Sequence, residues 1–255
     1  MRRPDELRGL VEEHLARLAL APELGGLEDV MRYTLDAGGK RVRPVLCLAT
    51  AEAAGGTAES ALPAAAAVEL VHTFSLVHDD LPALDDDDER RGRPSAHVRF
   101  GEAAAILAGD ALLAEAFRLA LSYPTPDVAR ELALATAGMI AGQYLDVTDG
   151  AGDLAAVNLL KTGRLFEAAV CCGLRSAAVP EAEQEPWRAF AREVGALFQL
   201  VDDVLDGDGF AARYGDVEAR RLADEAAVRA RARLRELDVE ASALLEIVDE
   251  VAARV

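Results

Sequence analysis

Residues 61–78, "ALPAAAAVELVHTFSLVH", contain a single acidic or basic charge, that of Glu69. Their apolar side chains recur on every side of a 3.6-residue repeat, not along one stripe. A helix that is apolar all round has no face to offer water and belongs at the centre of a bundle. Residues 132–145 carry no charge at all and make the same demand, while being too short to span a bilayer. Two such segments in a chain of 255 residues imply an all-helical protein wrapped around them.

The rest of the chain agrees. Ala, Leu, Glu and Arg dominate, residues that lose little side-chain entropy in a helix, and aromatics make up only 5%. Helical periodicity predicts segments at 5–20, 27–36, 42–54, 60–81, 101–121, 126–148, 153–173, 183–206, 216–236 and 239–254, separated by Gly- and Pro-rich breaks such as "SYPTPD" and "DGAGD". No break is long enough for a linker and no repeat is visible, so the expected organisation is one all-α domain over residues 1–255. Cys47, Cys171 and Cys172 fit neither a disulfide framework nor zinc-ligand spacing and read as core residues. The start, "MRRPDELRGL", lacks the apolar stretch of a signal peptide, so the expected location is cytoplasmic. A formal charge of −18 argues against non-specific nucleic-acid binding and against docking on anionic lipid. It leaves phosphorylated ligands open, since a few local cations or metal ions reverse the field inside a cleft.

Two acidic clusters end apolar helices: "HDDLPALDDDDERRGRP" (78–94) and "FQLVDDVLDGDG" (198–209). Asp202 and Asp206 are spaced i, i+4 and share a helical face, where their repulsion is best relieved by a cation. Such oxygen ligands suit Mg²⁺, which keeps several waters and is shared with substrate phosphates. Asp79 and Asp85 are six apart and do not share a face of a continuous helix. Pro82 ends or bends the helix, so the chain folds back and presents Asp85 beside Asp79; Asp86, Asp87, Asp88 and Glu89 are weaker candidates. The second cluster does not fit an EF-hand: with Gly207 as the turn glycine the third position is Val204 and the twelfth Arg213, and with Gly209 the first is Val204. Positive partners lie in "GGKRVRP" (38–44), with Lys40, Arg41 and Arg43 on a glycine-led turn, and in Arg90, Arg91 and Lys161. His72, seven residues before Asp79, shares its helix face; His78 by the same geometry points elsewhere.

Taken together, "GGKRVRP", "HTFSLVHDDLPALDDDDERRGRPSAHVRFGEAAAILAGDALL", "GMIAGQYLD", "KTGRLFEAAV" and "FQLVDDVLD" resemble the trans-isoprenyl diphosphate synthases, close to short-chain bacterial farnesyl diphosphate synthases. The resemblance runs along most of residues 30–206. It implies about ten mostly antiparallel helices around a deep cavity, a homodimer, and a Mg²⁺-assisted condensation of isopentenyl diphosphate with an allylic diphosphate. Three Mg²⁺ ions would be held by Asp79 and Asp85, with Asp80 supporting, and by Asp202 with Asp206; Asp203 and Lys161 join the catalytic set. Lys40, Arg43, His72 and Arg91 look like the isopentenyl diphosphate pocket. Arg90, Lys161, Thr162 and Gln199 look like the allylic side.

Phe74 and Ser75, about one turn before Asp79, would set product length, and the bulk of Phe74 points to farnesyl diphosphate, with geranyl and geranylgeranyl diphosphate as alternatives. The family's lysine-bearing loop and "GKxT" segment after the second aspartate motif are absent here, leaving Arg213, Arg220 or Arg221 as the nearby cations expected to substitute. That departure keeps a weakly active or regulatory paralogue as an alternative. A class I terpene cyclase is a further alternative, disfavoured by "DDVLD" and by the scarcity of aromatics.

Overall fold

The computed structural model describes residues 1–149 and 154–255; the predicted break at 149–153 and the start of the segment 153–173 lie largely outside them. The helices are α1 (Pro4–Ala16), α2 (Leu27–Leu35), α3 (Val42–Ala53), α4 (Ala58–Asp79), α5 (Ala96–Phe100), α6 (Glu102–Ala120) and α7 (Asp127–Asp149). After them come α8 (Leu154–Asn158), α9 (Arg164–Ser176), α10 (Glu185–Asp206), α11 (Gly209–Tyr214), α12 (Asp216–Glu236) and α13 (Ser242–Ala252). The all-α expectation holds.

The apolar segment is α4, and it lies at the centre, packed on α1, α3, α6 and α9. Ala61, Ala64, Ala65, Ala66 and Ala67 are all buried, small enough to bring these neighbours close. By length and mean hydropathy (1.4) α4 also qualifies as a bilayer span, but 67% of that window is buried against the protein's own helices. Thr57 caps it by accepting from the Ser60 N–H at 3.2 Å. Pro63 lies inside the helix, where a proline removes a donor and crowds the preceding turn. The Tyr123 hydroxyl fills the opening: it accepts from the Ala64 N–H at 3.2 Å and donates to the Ser60 carbonyl at 2.7 Å.

The sole charge of that segment, Glu69, is 2% exposed and accepts from Arg41 Nη1 at 2.5 Å. Arg41 also reaches Glu12 at 2.8 Å and stands in the left-handed region (φ 48°) immediately before α3. The ion pair thus pins the "GGKRVRP" turn onto the central helix. On the far side Glu131 of α7 ties Arg175 of α9 (3.0 Å) to Arg188 of α10 (2.5 Å).

Three departures from the sequence expectation shape the cavity. Helix α4 stops at Asp79, two residues before the predicted end at 81. Residues 89–94 form a small antiparallel hairpin, Glu89 opposite Pro94 and Arg90 opposite Arg93. Its turn residues Arg91 (φ 56°) and Gly92 (φ 73°) are both left-handed, as two-residue hairpin turns require. The segment predicted as one helix over 153–173 is instead α8, a π-helical turn at Leu159–Gly163, and α9 continuing to Ser176. The resemblance's deep cavity is present, with a volume of about 940 Å³ and walls from α3, α4, the hairpin, α7, the π turn and α10.

Candidate active site

The first acidic cluster folds as the proline suggested, one step earlier. With α4 ended, the Leu84 N–H bonds to the Leu81 carbonyl (2.9 Å), the Asp86 N–H to the same carbonyl (3.2 Å), and the Asp85 N–H returns to the Asp79 carbonyl (2.8 Å). Asp86 takes the left-handed conformation that closes this turn. Asp85 therefore stands beside Asp79, and its charge helps to raise the Asp79 pKa. Burial is the larger cause and lifts that carboxyl from 3.8 to about 6. Asp79 faces the cavity, together with Asp87 and Glu89 from the following turn and hairpin.

Asp80 points the other way. It is 3% exposed and accepts from Arg90 Nε at 2.8 Å, with a second, shorter contact from Arg90 Nη2. Arg90 also reaches Asp87 at 3.2 Å and lines the cavity. The buried Asp80 is thus the anchor that aims Arg90, in keeping with a supporting place.

From the opposite wall, Asp202 of α10 lines the same cavity. Burial again raises its pKa to about 6, opposed by Lys40, Arg254 and Arg43. Asp203, its neighbour, is turned into the protein at 1% exposure. Its carboxylate accepts from Gln199 Nε2 at 2.6 Å and from the Phe210 N–H at 2.9 Å. Asp203 and Gln199 are therefore assigned to tying the start of α11 to α10, and neither is among the described residues lining the cavity. Asp206 sits exposed at the end of α10, likewise outside that lining.

The cations assemble where α3, α4 and the hairpin meet. Arg43 stacks over the rings of Phe166 (4.5 Å) and Phe198 (5.3 Å), and its Nη1 lies 3.4 Å from His72 Nε2. Burial pushes the Arg43 pKa down to about 10. Burial, and then Arg43 and Arg91, hold His72 well below its ordinary value, so its imidazole is neutral. Arg91 donates to the Gly38 carbonyl. Gly39 lies under the Arg91 guanidinium and takes a φ of 139°, a conformation that strains any residue with a Cβ. Lys40 is exposed on the same turn and lines the cavity with Arg43, His72 and Arg91. Positive groups packed this closely repel one another unless an anion comes between them.

Lys161 and Thr162 also line the cavity, delivered by the π turn. The turn presses on α7 so closely that a Cβ at Gly142 would lie 2.5 Å from the Lys161 backbone nitrogen. Lys161 Nζ bonds Asp146 Oδ2 at 2.8 Å. Burial opposes its charge, but Asp146, Asp79 and Asp85 outweigh it and raise its pKa.

Several cavity residues lay beyond the sequence reading. Gln143 lines it with both amide atoms buried and unbonded; a lone amide in the uncharged run 132–145 was the available signal. His78, expected to point elsewhere, lines the cavity too. Of the cations expected to substitute for the family's lysine, Arg221 pairs with Glu218 and Glu225 on the surface, and Arg213, Arg220 and Arg221 are not among the residues lining the cavity. Arg254, packed 5.5 Å from the Phe198 ring centroid, acts on Asp202 alongside Lys40 and Arg43 and was not among the cations expected there.

Hard oxygen donors with burial-raised pKa values on two facing walls fit Mg²⁺. Among the described residues no three ligating side chains converge on one point.

Comparison with known proteins agrees with this geometry. The polyprenyl synthetase profile matches residues 25–219. A geranylgeranyl diphosphate synthase of Cyanophora paradoxa is 43% identical over 217 residues, covering 79% of this chain and 72% of that protein. A heterodimeric geranylgeranyl pyrophosphate synthase large subunit 1, chloroplastic, of Arabidopsis thaliana is 45% identical over 199 residues, covering 71% of this chain and 54% of that protein. Among solved structures, an apo FPP/GFPP synthase from Zymomonas mobilis superposes with a TM-score of 0.86 at 32% identity, covering 98% and 97% of the two chains. A geranyltransferase from Legionella pneumophila gives 0.84 at 32% identity, covering 98% and 94%. With the profile covering most of its length, and with relatives and solved structures of this kind matching its sequence and its bundle, the chain belongs to the polyprenyl synthetase family.

Proposed function

We propose that this protein condenses isopentenyl diphosphate with an allylic diphosphate to give a short-chain prenyl diphosphate, with Mg²⁺ as cofactor. The observation that carries this reading is a single cavity with three chemically distinct surfaces. Asp79 and Asp202 form a carboxylate mouth, Lys40, Arg43 and Arg91 with neutral His72 form a cationic pocket, and Phe74 and Met139 form an apolar interior.

In this reading Asp79 with Asp85, and Asp202 with Asp206, hold the Mg²⁺, whose chemistry is to stabilise negative charge on a departing diphosphate. Lys161 and Arg90 add fixed positive charge at the same place, aimed by Asp146 and Asp80. The allylic C–O bond breaks and its electron pair leaves with the diphosphate. Lys40, Arg43, Arg91 and His72 hold isopentenyl diphosphate so that its double bond attacks the allylic carbon and forms the new C–C bond. A proton is then lost to the released pyrophosphate, which leaves a diphosphate one isoprene unit longer. The Thr162 hydroxyl turns an oxygen dipole toward the cation, and the apolar walls keep water from capturing it.

The proposed product is farnesyl diphosphate, because Phe74 is 7% exposed and closes the interior one turn below Asp79. A geranylgeranyl product is the second reading, favoured by the names of the Cyanophora and Arabidopsis relatives. Self-association as a homodimer belongs to the proposal, supported by exposed Ile106 and Leu107 on α6 and Leu134 on α7. The test is incubation with Mg²⁺, radiolabelled isopentenyl diphosphate and dimethylallyl or geranyl diphosphate, followed by chromatography of the dephosphorylated products. Labelled farnesol is expected. Labelled geranylgeraniol selects the second reading, and absence of labelled prenyl alcohol with either primer overturns the assignment.

A further inference from the structure

His78 precedes the first aspartate of the metal-binding turn, yet its side chain takes no part in the cation cluster or the carboxylate mouth. Its imidazole crosses to α6, where Nε2 lies 3.0 Å from the Ile106 carbonyl oxygen. A carbonyl only accepts, so Nε2 carries the proton and the ring is held in one orientation. The ring occupies a notch that exists only because residue 109 is glycine. A Cβ on Gly109 would overlap His78 Nε2 and Cδ2. On its other side the ring meets Phe74, one turn earlier on α4, edge to face, with centroids 5.0 Å apart and planes at 74°. Both rings line the cavity.

Phe74 is therefore not an isolated floor. Its ring rests on an imidazole that is itself seated in the backbone of a second helix. We propose that His78, seated in the Gly109 notch, is a specificity-determining positioning residue: it fixes the Phe74 ring and with it the length of prenyl tail the cavity admits. The proposal rests on the condensation reaction assigned to this cavity. Removing the imidazole lets Phe74 swing into the freed space and deepens the cavity. Adding a methyl group at residue 109 ejects the imidazole from its notch toward the tail and shortens the cavity.

The two changes act in opposite directions through one side chain, and this gives the test. Product distributions are measured for the full chain, for His78→Ala, for Gly109→Ala and for the double variant, with Mg²⁺, labelled isopentenyl diphosphate and dimethylallyl diphosphate, from which both shorter and longer products than the wild-type one can form. His78→Ala is expected to raise the ratio of the next longer product to the wild-type product by at least about tenfold, the lower end of what a small steric change in an apolar pocket achieves. Gly109→Ala is expected to shift the ratio toward the shorter product. The double variant, with no imidazole to eject, should behave like His78→Ala. A purely structural role lowers the amount of active enzyme and leaves these ratios alone. Unchanged ratios in His78→Ala, or a double variant that keeps the Gly109→Ala product, overturn the inference. If Gly109→Ala is insoluble, the His78→Ala ratio decides alone. If the wild-type chain incorporates no isopentenyl unit, the reaction assignment fails and takes the inference with it; elongation with unchanged product length defeats the inference only.

Discussion

Replacing Asp202 by Asn should make the metal-free protein more stable at neutral pH, although Asp202 is a proposed metal ligand. Burial in the cavity wall raises its pKa from 3.8 to about 6, so the folded state favours the protonated form. For an acid raised in this way, stability is lost as pH climbs from the unfolded pKa to the folded one, and the whole cost is present above about pH 6. The rise corresponds to about 3 kcal/mol at 1.36 kcal/mol per pKa unit. Asp202 sits at a cavity wall that solvent reaches, and discounting for that screening leaves about 1.5 kcal/mol. For a chain of this size that is about 3–6 °C in Tm. The assay is thermal unfolding of wild type and Asp202→Asn in EDTA at pH 8 and pH 5. At pH 8 the variant should melt higher by this amount. At pH 5, where roughly half the cost remains, its advantage should fall by about half. Added Mg²⁺ should raise the wild-type Tm by more than that of the variant, which keeps Asp79 and Asp85 but lacks the Asp202 carboxylate. A variant that melts at or below wild type at pH 8 refutes the view that an uncompensated buried carboxylate stands in this wall.

Other perturbations test other parts of the molecule. Tyr123→Phe removes the hydroxyl that serves Ser60 and Ala64 across the Pro63 opening, and should cost about 1–3 kcal/mol in urea unfolding. Glu69→Leu removes one of the two carboxylates that pair with Arg41 and leaves Glu12, so it should cost about 1–3 kcal/mol, whereas Arg41→Met together with Glu69→Leu should recover much of it; a double variant less stable than the single would contradict the buried-pair account. Lys161→Ala should lower kcat by about 10²–10³, as loss of one transition-state donor does, with the unfolding midpoint nearly unchanged.

Much of this site was legible because its chemistry is local. The departure from the helix near Pro82, Asp202 at the end of an apolar helix and the lone Glu69 in another all follow from spacing and residue type, whereas Asp206, the i, i+4 partner of Asp202, lies outside the cavity lining. What escaped depends on contacts between distant segments. Face arithmetic on α4 turned His78 away from the site, because it contains no term for a notch at Gly109 on α6. Arg254 lies fifty-two residues after Asp202 in the chain, and only the packing of α13 beside α10 brings them together. The resemblance places Asp203 in the catalytic set beside Asp202, yet adjacent helical positions point about 100° apart, and Asp203 ties α11 to α10. The hairpin at 89–94 has strands of two residues, too short for an alternating pattern to register. The π turn at Lys161 left no signal in the apolar periodicity, although it sets where that lysine points.

Pyrophosphate release, measured with each substrate alone and with both, tests the central claim most directly. With Mg²⁺ present, release should require the allylic and the isopentenyl diphosphate together, at one pyrophosphate per isopentenyl unit incorporated, and should stop in EDTA. Release from the allylic diphosphate alone at the same rate, or no release while both substrates bind, would contradict a condensing enzyme.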